Sequence, residues 1–189
     1  MLIGKLVELG AVEREDLATL KKWRNNPDFR KHFREFRELN DAMQDMWFEN
    51  KVVRDPSTLM FAVRKRDDNS LIGCCGLAYI NWVHRHADLS LYIGWKEAYI
   101  DDQGYAEETC RLLLAYAFKE ICLNKVWTEI YEFDCKKKAL YDSLGFQQDG
   151  LLRQNYFYDG RWWDSRILSL LVGESRGPLA EADALPSGA

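Results

Sequence analysis

The chain is poor in the residues that build metal and disulfide sites. Its five cysteines (Cys74, Cys75, Cys110, Cys122 and Cys135) are odd in number and form no CxxC pair. That argues against a disulfide framework or a zinc site and points to reduced core thiols in a cytoplasm. Only three histidines occur, and His84 and His86 lie two apart with no thiolate beside them, so no metal is expected. No apolar run nears the roughly 20 residues that cross a bilayer, and no membrane partner is expected. The opening MLIGKLVELGAVERED lacks the charged, apolar and small-residue order of a signal peptide. There is no basic excess either. A net charge of −4 argues against nucleic-acid binding and mildly favours a cationic partner.

What remains is an ordinary globular composition, 47% hydrophobic and 30% charged over 189 residues, enough for one domain with a real core. Ile3–Glu8 reads as a first strand. Glu13–Asn25 reads as a helix that Asn26-Pro27 ends, and 28–38 as a short helix and loop. Asn40 caps a second helical face over 40–53. Strands follow at 59–64, 71–81 and 87–93. After a glycine turn comes a helix with Ala106, Cys110, Leu113, Leu114, Ala117 and Ile121 on one face.

Residues 126–131 give another strand. Asp134 can cap a short helix over 136–144, and 148–157 with 161–172 form a hairpin across Asp159-Gly160. The pattern predicts one α/β domain over residues 1–172. A mixed, mostly antiparallel sheet of six to seven strands would be flanked by about four helices. Residues 173–189 (from Gly173 through ESRGPLAEADALPSGA) read as a disordered tail.

The segment IDDQGYAEETCRLLLAYAF (Ile100–Phe118) puts Gly104 and Ala106 at a helix start, where free N–H groups and the macrodipole can hold phosphate. Alone this is a weak sign. ALYDSLGF (Ala139–Phe146) and RQNYFYDGRWWD (Arg153–Asp164) strengthen it. Together the three resemble the GNAT superfamily of acetyl-CoA-dependent N-acetyltransferases over about Ile3 to Val172. The likeness is to the branch that acetylates ribosomal-protein N-termini, spermidine and some amino sugars.

In that family a Q/R-x-x-G-x-G/A loop cradles the coenzyme's pyrophosphate. Gly104 and Ala106 match its last two fixed positions, Asp101 stands at the Gln/Arg position, and Asp102 stands where many members carry glycine. The loop Gly94–Asp101 is longer than usual. The resemblance implies coenzyme contacts from Asp102, Gln103, Gly104, Tyr105 and Ala106, and from the Leu91, Tyr92 and Ile93 backbone, which would pair with the pantetheine amides. Backbone N–H groups would do the holding whatever the aspartates do. Asp134 stands where the family has Asn, and Lys137 near the adenosine end. A helix cap and a solvated helix face are the competing readings.

For chemistry, the resemblance makes Tyr141 the acid that protonates the departing thiolate; packing beside the pantetheine arm is the alternative. Asp88 matches a family carboxylate and can be the base or the anchor for a cationic amine. Glu129, Glu132 or a water chain remain open for the same role. Trp82, His84, Tyr156 and Trp162 can wall an acceptor pocket. Cys110 and Cys135 have no histidine placed to activate them as acyl carriers. The expected activity is acetyl transfer to a primary amine of a small polyamine, an amino sugar or a protein N-terminus, by direct attack in a ternary complex. A homodimer is possible. The alternative is a non-catalytic acyl-CoA-binding or regulatory module with a degenerate pyrophosphate loop.

Overall fold

The computed structural model describes residues 1–175. Eight strands form one sheet in the order β1-β2-β3-β4-β5-β6-β8-β7. They are β1 (Leu2–Ile3), β2 (Val7–Ala11), β3 (Leu59–Lys65), β4 (Leu71–Asn81), β5 (His86–Ile93), β6 (Lys125–Tyr131), β7 (Gln147–Tyr158) and β8 (Arg161–Leu171). Five helices accompany them: α1 (Leu17–Asn25), α2 (Pro27–Arg30), α3 (Asp41–Trp47), α4 (Tyr105–Ala115) and α5 (Cys135–Ser143). Every strand pair is antiparallel except β5 with β6. The mixed, mostly antiparallel sheet is as expected.

The central strand β4 is buried continuously over Ile72–Leu77, as a strand covered on both faces must be, and opens to solvent at Tyr79. Helix α4 buries Ala106, Thr109, Cys110, Leu113 and Leu114 and leaves its acids outside, the stripe its spacing predicts. The first strand does not run through 3–8 as expected. Glu108 of α4 accepts from the N–H groups of Lys5 (2.8 Å), Leu6 (2.6 Å) and Val7 (2.8 Å), and this pulls the chain into a turn between β1 and β2. The expected 40–53 helix is α-helical only to Trp47, then widens into a π turn over Phe48–Val53. Among the cysteines, Cys74, Cys75 and Cys110 are core thiols, but Cys122 and Cys135 are exposed, against expectation.

The β7–β8 hairpin turns at Asp159 (φ 52°) and Gly160 (φ 74°), the two positive angles that this pair tolerates. The chain continues past residue 172 into a turn at Glu174, whose carboxylate accepts from Leu171 N at 2.9 Å and Gln147 Nε2 at 3.1 Å. The rest of the expected tail, 176–189, lies outside the described residues. No helix among the described residues is long and apolar enough to cross a membrane.

Candidate active site

The site begins where the sheet opens. Strands β5 and β6 pair only over His86–Asp88 with Lys125–Trp127, and beyond Asp88 they part. Gly94 N bonds back to Ile72 O of β4, so by alternation Leu89, Leu91 and Ile93 turn their amides toward the gap. The Thr128 hydroxyl donates to Leu89 O at 3.2 Å, and Ile93 N donates to Tyr99 O at 2.8 Å. Leu91 faces the opening between these two ties. Tyr92, with Asp88 and Ser90, points to the other side of the strand, into a cavity.

At the mouth of α4, Gly104 has φ +90°, a conformation that suits glycine and brings the backbone to the surface. The N–H groups here are already taken. Asp101 accepts from Gln103 N (2.8 Å), Tyr105 N (2.9 Å) and Ala106 N (2.7 Å). This corrects the expectation that the side chains leave those groups untouched: a carboxylate of the chain itself sits in the anion seat. Asp102 is exposed and accepts from the Gln103 side chain at 2.8 Å. The long loop before it folds back on its own strand. Lys96, Glu97 and Tyr99 all adopt positive φ, and Gly94 lies flat under Trp23, whose ring a Cβ would meet at 2.0 Å.

Asp134 is a buried hub as well as a helix cap. It accepts from Lys137 N at 3.1 Å and from Tyr99 Oη at 3.2 Å, and His32 Nδ1 lies 3.1 Å away without hydrogen-bond alignment. Burial alone would raise its pKa, but the contacts with His32 and Lys137 bring it below the usual carboxylate value. His32 stacks on Tyr99 with ring centres 4.1 Å apart. Lys137, expected near the adenosine end, is instead buried, its ammonium 5.1 Å from the Tyr99 ring centre.

Tyr141 shares the buried face of α5 with Lys137. It is 0% exposed, and its hydroxyl has no hydrogen-bond partner among the described residues. The neighbouring Thr128 gives its own proton to Leu89 O. Burial raises the Tyr141 pKa well above its ordinary value.

Beside the gap lies a cavity of about 550 Å³, walled by α1, the 32–39 loop, α3 and the β4–β6 strands. Asp88 lines it, 5% exposed, with Arg34 Nη1 at 2.7 Å from Oδ2. Desolvation raises the Asp88 carboxyl, and Arg34 offsets part of that rise. Arg34 also reaches Glu129 at 3.2 Å. Glu132 is exposed and does not line the cavity.

The expected acceptor wall is mostly elsewhere. Trp82 and His84 sit in the exposed β4–β5 turn, where the Trp82 indole donates to Pro56 O at 3.1 Å. Trp162 is exposed at the hairpin tip against Phe157. Tyr156 stacks on the cavity residue Tyr131 at 3.7 Å and donates to Lys31 O at 3.1 Å, which ties the hairpin to the wall. Sequence reasoning missed Arg24, His32, Arg34, and the cavity-lining Met43, Met46 and Trp47 of α3 with Asn50 of the π turn. The helical face over 40–53 was visible, but its side toward the site was not.

For a coenzyme arm the residues fit. The strands are splayed, the Leu91 amides face the gap, and an orphaned Tyr141 hydroxyl stands beside it. At the phosphate seat Asp101 must first release the N–H groups.

The comparisons agree with this geometry. Residues 7–147 match the Acetyltransferase (GNAT) domain family. The chain is 29% identical over 164 residues to spermidine N(1)-acetyltransferase of Vibrio cholerae, covering 86% of this chain and 91% of that one. A crystal structure of the Vibrio cholerae spermidine N-acetyltransferase with CoA and spermine superposes with TM-score 0.81 at 26% identity, covering 89% of this chain and 97% of that one. A dodecameric structure of the Vibrio cholerae enzyme, in an intermediate state, superposes with TM-score 0.75 at 25% identity over 90% and 95% of the two chains. A matching family domain, splayed strands and a glycine-led helix start lead to one conclusion: the chain belongs to the GNAT family and is an acetyl-CoA-dependent N-acetyltransferase.

Proposed function

We propose that this acetyltransferase moves the acetyl group by direct attack of a primary amine, with both substrates bound at once. The acceptor is a small polyamine, an amino sugar or a protein N-terminus. Acetyl-CoA, when bound, supplies the thioester. Asp88 takes up or anchors the amine's proton, since a carboxyl raised by burial holds a proton more readily than an exposed one. Tyr141 gives its proton to the departing sulfur, and the Leu91 N–H faces the developing oxyanion. Held by Asp134, Tyr99 and His32 brace the loop over the gap.

The observation that carries this reading is the Tyr141 hydroxyl. Four buried polar side-chain atoms among the described residues have no aligned hydrogen bond, and Tyr141 Oη, with Thr128 as its polar neighbour, is the one that faces the strand gap where the family's thioester lies.

The decisive variant is Tyr141→Phe, which keeps the ring and removes the proton. Turnover should fall roughly 10²–10³-fold, with acetyl-CoA affinity within a few-fold. Near-parent turnover would reduce Tyr141 to a packing residue. The same protein in light scattering should run as a homo-oligomer, a homodimer at the least.

A further inference from the structure

The charges on the cavity wall do not cancel, and this bears on which amine enters. Each carboxylate facing the cavity is held by an arginine. Arg34 spans Asp88 (2.7 Å) and Glu129 (3.2 Å), and Arg37 binds Glu35 through two nitrogens, at 2.8 and 2.7 Å. Two cations on the same wall have no such partner. Lys137 is only 8% exposed and makes neither a side-chain hydrogen bond nor an ion pair among the described residues. Asp134 and Asp88 act on it from beyond ion-pair distance, and Asp134 is already engaged by His32, Tyr99 and the Lys137 backbone. Arg24 lies over the Phe33 ring at 4.0 Å with no hydrogen bond or ion pair among the described residues.

Burial pushes the Lys137 ammonium below its ordinary pKa, and the charge of Arg24 adds to that push. Two cations in one cavity without ion-pair partners, offset only from a distance by Glu35 for Arg24 and by Asp134 and Asp88 for Lys137, carry a cost that a bound anion reduces. The phosphates of the coenzyme belong at the mouth of α4, whose residues do not line this cavity. A polyamine would bring further positive charge to a wall with no free carboxylate.

We propose, resting on the acetyl-transfer reading above, that the acceptor amine carries an acidic group, a carboxylate or a phosphate. Arg24 and Lys137 receive this group while the amine meets Asp88. Among the acceptor classes named above, this selects an acidic peptide terminus or a phosphorylated amino sugar over spermidine, and it admits amino acids.

Matched probes test it: ornithine against putrescine, which differ by one carboxylate, and glucosamine 6-phosphate against glucosamine, with spermidine as the polyamine. Calorimetry on the whole chain should show the acidic member of at least one pair binding tenfold or more tighter than its partner without the acidic group. Arg24→Gln should cut that ratio at least tenfold, and Arg24→Lys should restore part of it. The two acidic probes distinguish carboxylate from phosphate. Equal or tighter binding of the member without the acidic group in both pairs, or spermidine binding as tightly as the better acidic probe, overturns the inference. So does a ratio unmoved by Arg24→Gln, or the absence of binding by both acidic probes. Thiol release measured alongside reports on acetyl transfer by itself. An acidic probe that binds but is not acetylated supports the anion site and counts against the transfer reading.

Discussion

The mouth of α4 and the cavity beside the splayed strands handle polar groups in opposite ways. At α4 the chain closes its own site: Asp101 fills the N–H groups of Gln103, Tyr105 and Ala106, and Tyr99 O takes Ile93 N. Across the gap, among the described residues, Tyr141 Oη has no aligned hydrogen bond, and Lys137 and Arg24 have ring contacts but no ion pair. A group that the protein satisfies itself competes with a ligand for the same place, and a group left unsatisfied waits for one. The first half of the site therefore resists its ligand and the second half calls for one.

The largest effect expected at the closed half comes from Gly104→Glu. It puts a charge and a side chain into the phosphate seat, where φ +90° already disfavours any L-residue. Acetyl-CoA binding should weaken at least tenfold, about 1.4 kcal/mol, in calorimetry. Gly104→Ala carries the same backbone strain without the charge, so equal losses in both variants would move the effect from electrostatics to the backbone. Unchanged affinity in folded Gly104→Glu would place the phosphates elsewhere.

Asp101→Gln tests the competition directly and should have two opposite readouts. Removing the carboxylate frees the N–H groups and lifts the like-charge repulsion, so acetyl-CoA should bind a few-fold tighter, with added salt narrowing the gap to the parent. The same change loses a helix cap, so the unfolding free energy should drop by about 1 kcal/mol. If affinity and stability both fall, Asp101 orders the seat instead of obstructing it, and the contrast between the two halves fails.

Much of this was legible in the sequence wherever local chemistry decides. Leu71–Asn81 reads as a strand from its composition, Asp134 as a cap from its place before a helix, and Asp159-Gly160 as a turn from the angles that pair tolerates. The glycine-led start of α4 is of the same kind. What was not legible is set by distant partners. The Arg34–Asp88 pair joins residues 54 apart, and Glu108 turns the first strand from 101–103 residues away. Trp82 and His84 sit in a turn, and Trp162 at the tip end of β8; all three have the right residue type for a binding wall but are exposed, and the direction they face depends on sheet twist, not on composition. Asp101 was visible and its repulsion of a diphosphate was foreseeable. Its grip on three N–H groups required the loop's own path, through three positive-φ residues, to be known.

The smallest effect expected separates charge from capping at Asp134. Asn caps a helix about as well as Asp, so Asp134→Asn should keep the bond from Lys137 N and lose only the negative charge beside His32 and Lys137. Because the folded carboxyl lies below its ordinary value, the native state binds fewer protons than the unfolded chain between the two pKa values. Its stabilisation is therefore present above roughly pH 4 and is lost as pH falls through the folded pKa. The parent should exceed Asp134→Asn by about 1 kcal/mol in urea unfolding at pH 7, and the gap should close as pH is lowered through the folded pKa. A gap that persists in acid would assign the loss to packing around Tyr99. A variant more stable than the parent at pH 7 would mean that burying the carboxylate costs more than its neighbours return. Asp134 would then belong with Tyr141, Lys137 and Arg24 among the groups held at a cost for a ligand.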